Sequence, residues 1–445
     1  MFLQKRFSGD SRTVLIKKNI AASFFIKGWN GIVQLLLVPI TLNCLNEYEY
    51  GIWLVINSML IWIDQMDIGL GNGLRNKLAE SIAKGERERA RSQISTTFVM
   101  LALIIVPLLI IIGTLIYSID CNKLLNVDKN IVPNFPDIMF ASVVLVGFTF
   151  VFKFIGNVYL GLQLPAVNNL LVVAGQTVAL IIIFVLSLFN VKSLLSVAIA
   201  YTASPLVIYL ISYPITFTRY SYLRPSLKKF DYDELKGLFS LGIMFFVLQL
   251  AGLTLFASSN ILISKLFTPA DVTPYQISYR YFSLTIMLFS LISAPLWSAS
   301  TDAYTKNDMQ WIENIMKKMR RIMVAFALLL GIMLLASKFV YDIWLGGQMG
   351  ITFLLSGAMA FYMMVLIFST CYSNMLFGIG KIRVITIVTV IEAIVYIPLA
   401  VLLGRDLGVL GVIIALIIVN MFCAITNRIQ FGLIFSGKAT GIWNR

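Results

Sequence analysis

Stretches of about 20 apolar residues follow one another along almost the whole of this 445-residue chain, separated only by short polar breaks. A run of that length, wound as an α-helix, spans the roughly 30 Å of hydrocarbon in a bilayer. Hydrocarbon offers no water to the backbone, so each stretch must bond its own N–H and C=O groups. The fold class follows as an all-α membrane protein. Composition closes the soluble alternative: 59% of residues are hydrophobic, 13% are charged and histidine is absent, more apolar side chain than one water-facing core can hide.

The apolar windows predict about twelve transmembrane helices. They lie near 19–44, 50–72, 94–118, 138–160, 165–189, 194–217, 238–266, 273–299, 322–345, 350–377, 382–404 and 408–434. Basic residues set the orientation. Of the 35 lysines and arginines, 26 lie at the termini or in the loops after even-numbered helices, and five (Lys123, Lys129, Lys192, Lys338, Arg405) lie on the opposite side. Both termini are therefore expected in the cytoplasm. The +14 formal charge is spread between apolar spans and forms no stripe on a polar fold, so nucleic acid is not an expected partner. Cys44, Cys121, Cys371 and Cys423 show no paired spacing, which predicts neither disulfide nor metal site. The first apolar run follows a basic, polar start and lacks a small-residue cleavage site, as expected of a retained anchor.

The chain reads as two copies of one unit. Helix 1 ends in the turn Asn46-Glu47-Tyr48-Glu49-Tyr50-Gly51-Ile52-Trp53, and helix 2 leads into a long charged loop that begins Gly71-Asn72-Gly73-Leu74-Arg75. In the second half, Thr268-Pro269-Ala270-Asp271 precedes helix 8, and another charged loop runs from Thr301 to Arg321. With six helices per copy, both copies start from the same membrane side, giving two six-helix lobes related by a pseudo-two-fold along the membrane normal. The expected division is 1–218 for helices 1–6, 219–237 for a polar cytoplasmic linker and 238–445 for helices 7–12. The linker reads either as a joint that lets the lobes rock or as a passive tether. Leu74, Leu78 and Ile82 repeat at four-residue spacing among Arg75, Lys77, Lys84, Arg87, Arg89 and Arg91. This predicts a helix lying on the membrane surface against anionic lipid, or one that recruits a glycosyltransferase or polymerase. Ile312, Ile315, Met316 and Met319 among Lys317, Lys318, Arg320 and Arg321 form its counterpart. Trp53, Trp62, Trp297, Trp311, Trp344 and Trp443 fall where an interfacial aromatic belt is expected.

Ionisable groups at membrane depth cost about 2.5–3.5 kcal/mol each on insertion scales, so they face a partner or a watery cavity. Lys27 in helix 1 and Asp64 in helix 2 lie at matching depths, which suits a structural ion pair; a phosphate contact for Lys27 or ion coupling through Asp64 are the other readings. Asp67 shares a helical face with Asp64. Arg280 in helix 8, flanked by Tyr275, Tyr279 and Tyr281, suits bidentate phosphate binding beside sugar-stacking rings; an inter-helix pair is the alternative. Lys153 in helix 4 is a further cationic candidate, and Glu392 in helix 11 reads as a counter-ion or a coupling group.

The Glu49-Tyr50-Gly51-Ile52-Trp53 turn, the run Asp67-Ile68-Gly69-Leu70-Gly71-Asn72-Gly73-Leu74-Arg75-Asn76 and Tyr279-Arg280-Tyr281 together resemble the polysaccharide flippase family of the multidrug/oligosaccharidyl-lipid/polysaccharide exporter superfamily. The resemblance implies alternating access around a central cavity in a bacterial inner membrane. Its cargo would be a polyprenyl-pyrophosphate-linked oligosaccharide repeat unit used in surface polysaccharide assembly, such as O-antigen. It further implies cavity cations on helices 1, 2 and 8, which here offer Lys27 and Arg280, while helix 2 supplies Asp64 and Asp67 and no cation. The expected substrate-binding set is Lys27, Arg280 and Lys153; Asp64, Asp67 and Glu392 are the ion-pair or coupling set. No enzymatic activity and no cofactor are expected, with H+ or Na+ as the candidate coupling ion. The alternative is a cation-coupled multidrug or small-molecule exporter of the same superfamily, in which the carboxylates would dominate the cavity.

Overall fold

The computed structural model describes residues 9–67, 69–346 and 350–444. It is an all-α, multi-span bundle, and nine helices among the described residues are long and apolar enough to cross a membrane. The chain forms two compact units, Met1–Val247 and Leu248–Arg445.

In the first unit the helices are α1 (Gly9–Cys44), α2 (Glu47–Asp64), α3 (Leu70–Lys84), α4 (Arg87–Ser118), α5 (Cys121–Leu125), α6 (Phe135–Phe152), α7 (Phe154–Gly161), α8 (Pro165–Leu188) and α9 (Leu194–Arg219). The start of α2 explains the first motif. Asn46 Oδ1 accepts from Glu49 N at 2.8 Å and Glu49 Oε2 accepts from Asn46 N at 3.2 Å, a reciprocal capping box that satisfies two orphan amides. Tyr50, Ile52 and Trp53 then enter the core, and Trp53 stacks on Tyr201 of α9 at 4.8 Å between ring centroids. Trp53 is thus a core anchor, not part of an interfacial belt. Pro39, Pro107, Pro205 and Pro398 sit inside helices that continue through them. At Gly175 of α8 the backbone of Pro205 in α9 comes so close that a Cβ would lie 2.9 Å from its Cα.

Three expectations change. The predicted 50–72 helix ends at Asp64 and a new helix starts at Leu70, its N-cap Gly69 at positive φ and its first amides held by Asp67. The α3 helix does not lay its apolar stripe on lipid. Leu74 and Leu78 are wholly buried, with Leu78 lying against Gly161 of α7, so the stripe is covered by protein. Its counterpart is no separate surface helix, since Ile312, Met316 and Met319 are buried along α12.

The segment after α9 is strapped to the start of α4. Arg89 Nε bonds Glu234 Oε1 at 2.6 Å, Lys229 Nζ bonds Glu88 Oε2 at 2.8 Å, and Arg91 Nε donates to the Arg224 carbonyl at 2.9 Å. Backbone is fixed too: Asp231 N donates to Thr96 Oγ1 at 2.9 Å and Ser226 N to Ser95 Oγ at 3.1 Å. Each exposed ion pair alone contributes little, but the backbone bonds make the segment a defined strap.

The second unit comprises the later part of α10 (Tyr232–Leu266), then α11 (Pro269–Thr305), α12 (Met309–Leu345), α13 (Phe353–Gly378), α14 (Arg383–Leu407) and α15 (Val409–Phe435). Among these helices α14 packs on α15, and α13 packs on both α15 and α11. A short 3-10 turn, Gly441–Asn444, follows α15.

The Gly175–Pro205 contact predicts that Gly175→Val wedges α8 from α9 and destabilises the fold by about 1–3 kcal/mol. The expected outcome is a lower thermal midpoint in detergent, read by monodispersity on size-exclusion chromatography after heating. An unchanged midpoint would show that the two helices do not meet there.

Candidate functional site

In the first unit, the end of α2 and the junction of α6 with α7 meet at a lysine. Lys153 interrupts the predicted fourth helix, and its Nζ lies 2.9 Å from Asp64 Oδ1. Nζ also donates to the Asp64 backbone carbonyl, while Gln65 Nε2 donates to Asp64 Oδ2 at 3.1 Å. The cation thus sits at a helix C-terminus, where carbonyls lack intrahelical donors and the helix dipole is negative. The Phe150 ring lies 5.4 Å from it. The pair is neither sealed nor free in solvent, with side-chain exposures of 20% for Lys153 and 34% for Asp64. Asp64 therefore pairs with Lys153, and Lys27, the partner that matched its depth in the sequence, is exposed on α1.

Asp67, read from the sequence as a second buried carboxylate, is a cap. Its Oδ1 accepts from Gly69 N at 3.1 Å and its Oδ2 from Gly71 N at 3.0 Å, at the N-terminus of α3, where a negative charge is favoured. Gly69 has φ +76°, open to glycine at no steric cost. A Cβ on Gly71 would lie 2.4 Å from Asn157 Nδ2 and 2.8 Å from Asp67 Oδ2. Gly69 and Gly71 of the Asp67–Asn76 run thus hold a turn and a close helix approach.

In the second unit, Arg280 is half-buried on α11. The tyrosines around it have structural tasks. Tyr281 donates to the Met333 carbonyl of α12 at 3.0 Å, and Tyr279 meets Phe256 of α10 edge-on at 5.1 Å. Lys153 and Asp64 lie in the other unit.

Glu392 is 3% exposed on α14, and its Oε1 accepts from Cys423 N of α15 at 2.9 Å. No lysine or arginine among the described residues forms a salt bridge with it. The row of buried side chains on α15 that carries this amide was not read from the sequence. Asn420, Cys423, Asn427 and Gln430 are all buried on α15. Their spacing of three, four and three places them on one face, a periodicity that was available in the sequence. Asn427 Nδ2 bonds Ser373 Oγ of α13 at 2.9 Å and Cys423 Sγ at 3.3 Å, and its Oδ1 is buried without a hydrogen-bond partner. One turn beyond Glu392, Tyr396 OH lies 2.6 Å from Ser259 Oγ of α10. Among the described residues no cluster of three Cys, Asp or Glu is arranged to hold a metal.

Residues 16–298 match the family described as polysaccharide biosynthesis protein. Two full-length relatives carry names that provisionally assign them as O-antigen transporters. The Salmonella typhi protein is 20% identical over 405 residues, covering 87% of this chain and 88% of the relative. The Salmonella typhimurium protein is 22% identical over 408 residues, covering 87% and 89%. Among solved structures, the inward-facing conformation of a multidrug resistance MATE family transporter of the MOP superfamily superposes with a TM-score of 0.74 at 18% identity, over 93% of this chain and 94% of that one. The outward-facing conformation of a multidrug resistance MATE family transporter gives a TM-score of 0.64 at 18% identity, over 94% and 96%. At this identity the likeness establishes the fold.

Because Lys153 and Asp64 are partly buried, Lys153→Met should leave Asp64 uncompensated and cost about 1–3 kcal/mol, below the full penalty for a sealed pair. Adding Asp64→Asn should recover at least half of that loss. Thermal unfolding of the four variants of this cycle in detergent measures the coupling; strictly additive losses would mean the pair contributes nothing.

Proposed function

The chain belongs to the polysaccharide biosynthesis protein family, and from that premise we propose that it is a flippase for a polyprenyl-pyrophosphate-linked oligosaccharide repeat unit in a bacterial inner membrane. The family match is the observation that carries the choice of cargo, and the O-antigen transporter names of two full-length relatives support it. In this reading twelve helices form two six-helix lobes, 1–218 and 238–445, joined by 219–237, with both termini cytoplasmic. The lobes alternate between inward and outward access while the polyprenyl tail stays in the bilayer.

Lys27, Lys153 and Arg280 are the proposed contacts for the pyrophosphate. The Lys153–Asp64 pair suggests how a resting cation is kept tolerable in the membrane: Asp64 and the end of α2 stand in for the cargo's anion. A pyrophosphate brings more negative charge and more acceptor oxygens than one carboxylate, and can draw Lys153 away when it arrives. Glu392, buried and without a lysine or arginine partner among the described residues, is the proposed seat of a coupling H+ or Na+, since it can take one up without displacing a protein cation. Polymerase or glycosyltransferases remain the proposed protein partners.

The second reading, a cation-coupled exporter of small molecules or drugs, is favoured by the fold likeness, which is to multidrug transporters over nearly the full length of both chains. It also suits the partly buried Asp64 and the buried Glu392.

Reconstituted vesicles separate the two. Wild type is expected to move a fluorescent polyprenyl-pyrophosphate oligosaccharide, and the charge-free Lys153→Met/Asp64→Asn protein, if folded, to move it at least tenfold more slowly. Export of a cationic dye by wild type with no movement of the lipid-linked sugar would make the exporter reading the correct one. For coupling, Glu392→Gln should remove the dependence of transport on an imposed proton or sodium gradient; a retained gradient dependence would exclude Glu392.

A further inference from the structure

Beyond α15 the chain turns back on its own helix. Gly437 and Gly441 both adopt positive φ, +68° and +54°, and between them Lys438 N and Ala439 N donate to the Leu433 carbonyl at 2.9 and 3.0 Å. The reversal delivers the Gly441–Asn444 turn to the ends of α14 and α15. Trp443, expected in an interfacial belt, is half-buried and packs on the cluster made by Val384, Val388 and Cys423.

Two polar ties hold the turn there, and a third bond joins the helices beneath it. Gln430 Nε2, on a fully buried side chain, donates to the Trp443 carbonyl at 3.2 Å and to the Lys381 carbonyl at 3.2 Å. Lys381 Nζ donates to the Asn444 carbonyl at 2.8 Å. One side chain thus joins the tail to the start of α14 from beneath, and one joins them from outside.

What lies behind the turn gives it meaning. Val384, Val388, Glu392 and Tyr396 recur every four residues, so they share one face of α14. Glu392 stands one helical turn beyond Val388, roughly 13 Å from the helix start at 1.5 Å per residue. From α15, the buried Asn420, Cys423, Asn427 and Gln430 form a polar ladder on one face, and Cys423 belongs to the cluster on which Trp443 packs and holds Glu392 through its amide. The tryptophan, bonded through its carbonyl to Gln430, therefore sits at the end of a row of polar side chains that leads along α15 to the residue holding the buried carboxyl.

We propose that the Gly437–Asn444 segment is a plug, with Trp443 as its stopper, that closes the cytoplasmic end of the second unit's polar ladder and controls the access of water and small cations to Glu392. The bias of basic residues assigns that end to the cytoplasm. Opening needs only the Lys381 and Gln430 ties to break and the indole to leave the cluster of Val384, Val388 and Cys423, while the turn at Gly437 stays in place. The plug's role in coupling rests on the reading of Glu392 given above, but the plug itself does not.

Cys423 reports on the plug directly. In a full-length protein with Cys44, Cys121 and Cys371 replaced by serine or alanine, a membrane-impermeant methanethiosulfonate is applied to inside-out and right-side-out vesicles. Cys423 should be protected in the parent protein. In Trp443→Ala it should be modified at least tenfold faster in inside-out vesicles alone, and Trp443→Phe should restore protection. Lys381→Met, which cuts the outer tie and leaves the indole, should give an intermediate rate. Equal rates in the parent and Trp443→Ala, with unchanged thermal midpoints, overturn the plug. Loss of protection from both sides with a lowered midpoint assigns Trp443 to stability and overturns it as well. If labelling behaves as expected but Glu392→Gln keeps its gradient dependence, the plug stands and the coupling role of Glu392 falls.

Discussion

Every part of this structure answers to the cost of leaving a polar group unsatisfied in hydrocarbon. Backbone amides meet that cost by forming helices. Side chains meet it by finding partners, and the partners decide the local architecture. Lys153 is the clearest case: its ammonium is shared between the Asp64 carboxylate and the backbone at the end of α2, and the helix that carries it breaks into α6 and α7 at that point. Asp67 meets it by capping α3. Glu392 meets it with a backbone amide and, among the described residues, no lysine or arginine, a different solution that leaves the carboxyl chemically available.

The charged segments outside the apolar spans follow the same rule less strictly, because water offsets part of the cost there. Lys77 and Lys84 both bond Glu80, and Arg89 is shared by Glu86 and Glu234. Part of the positive charge that sets orientation is therefore locally answered by carboxylates. The strap after α9 uses several of these pairs, but its definition comes from the backbone bonds to Ser95 and Thr96, which do not depend on salt.

The chain belongs to a polysaccharide biosynthesis family and shares its fold with multidrug transporters. The fold is shared across cargo classes, so the cargo has to be argued from side chains. A cation with a resident carboxylate, and a carboxylate with no lysine or arginine partner among the described residues, both bear on it. The first suits an anionic cargo that exchanges with Asp64; the second suits an ion that drives the cycle.

The sequence by itself determined the solvent, the helical class and most helix positions, because hydrophobic length is a local property that each segment carries alone. It also marked Lys153, Asp64 and Glu392, since any ionisable residue inside an apolar run is conspicuous. It did not determine who pairs with whom. Depth along a helix is readable, but azimuth and neighbour are not, so Lys27 matched Asp64 on paper while Lys153 holds it in space. The glycine-rich run was visible as a motif, yet its task, a carboxylate cap and a helix contact too tight for a Cβ, depends on Asn157 far along the chain. Only the tertiary structure brought Trp443 back onto Val384 and Val388, because two glycines at positive φ fold the tail against a surface that exists only once α14 and α15 have packed together.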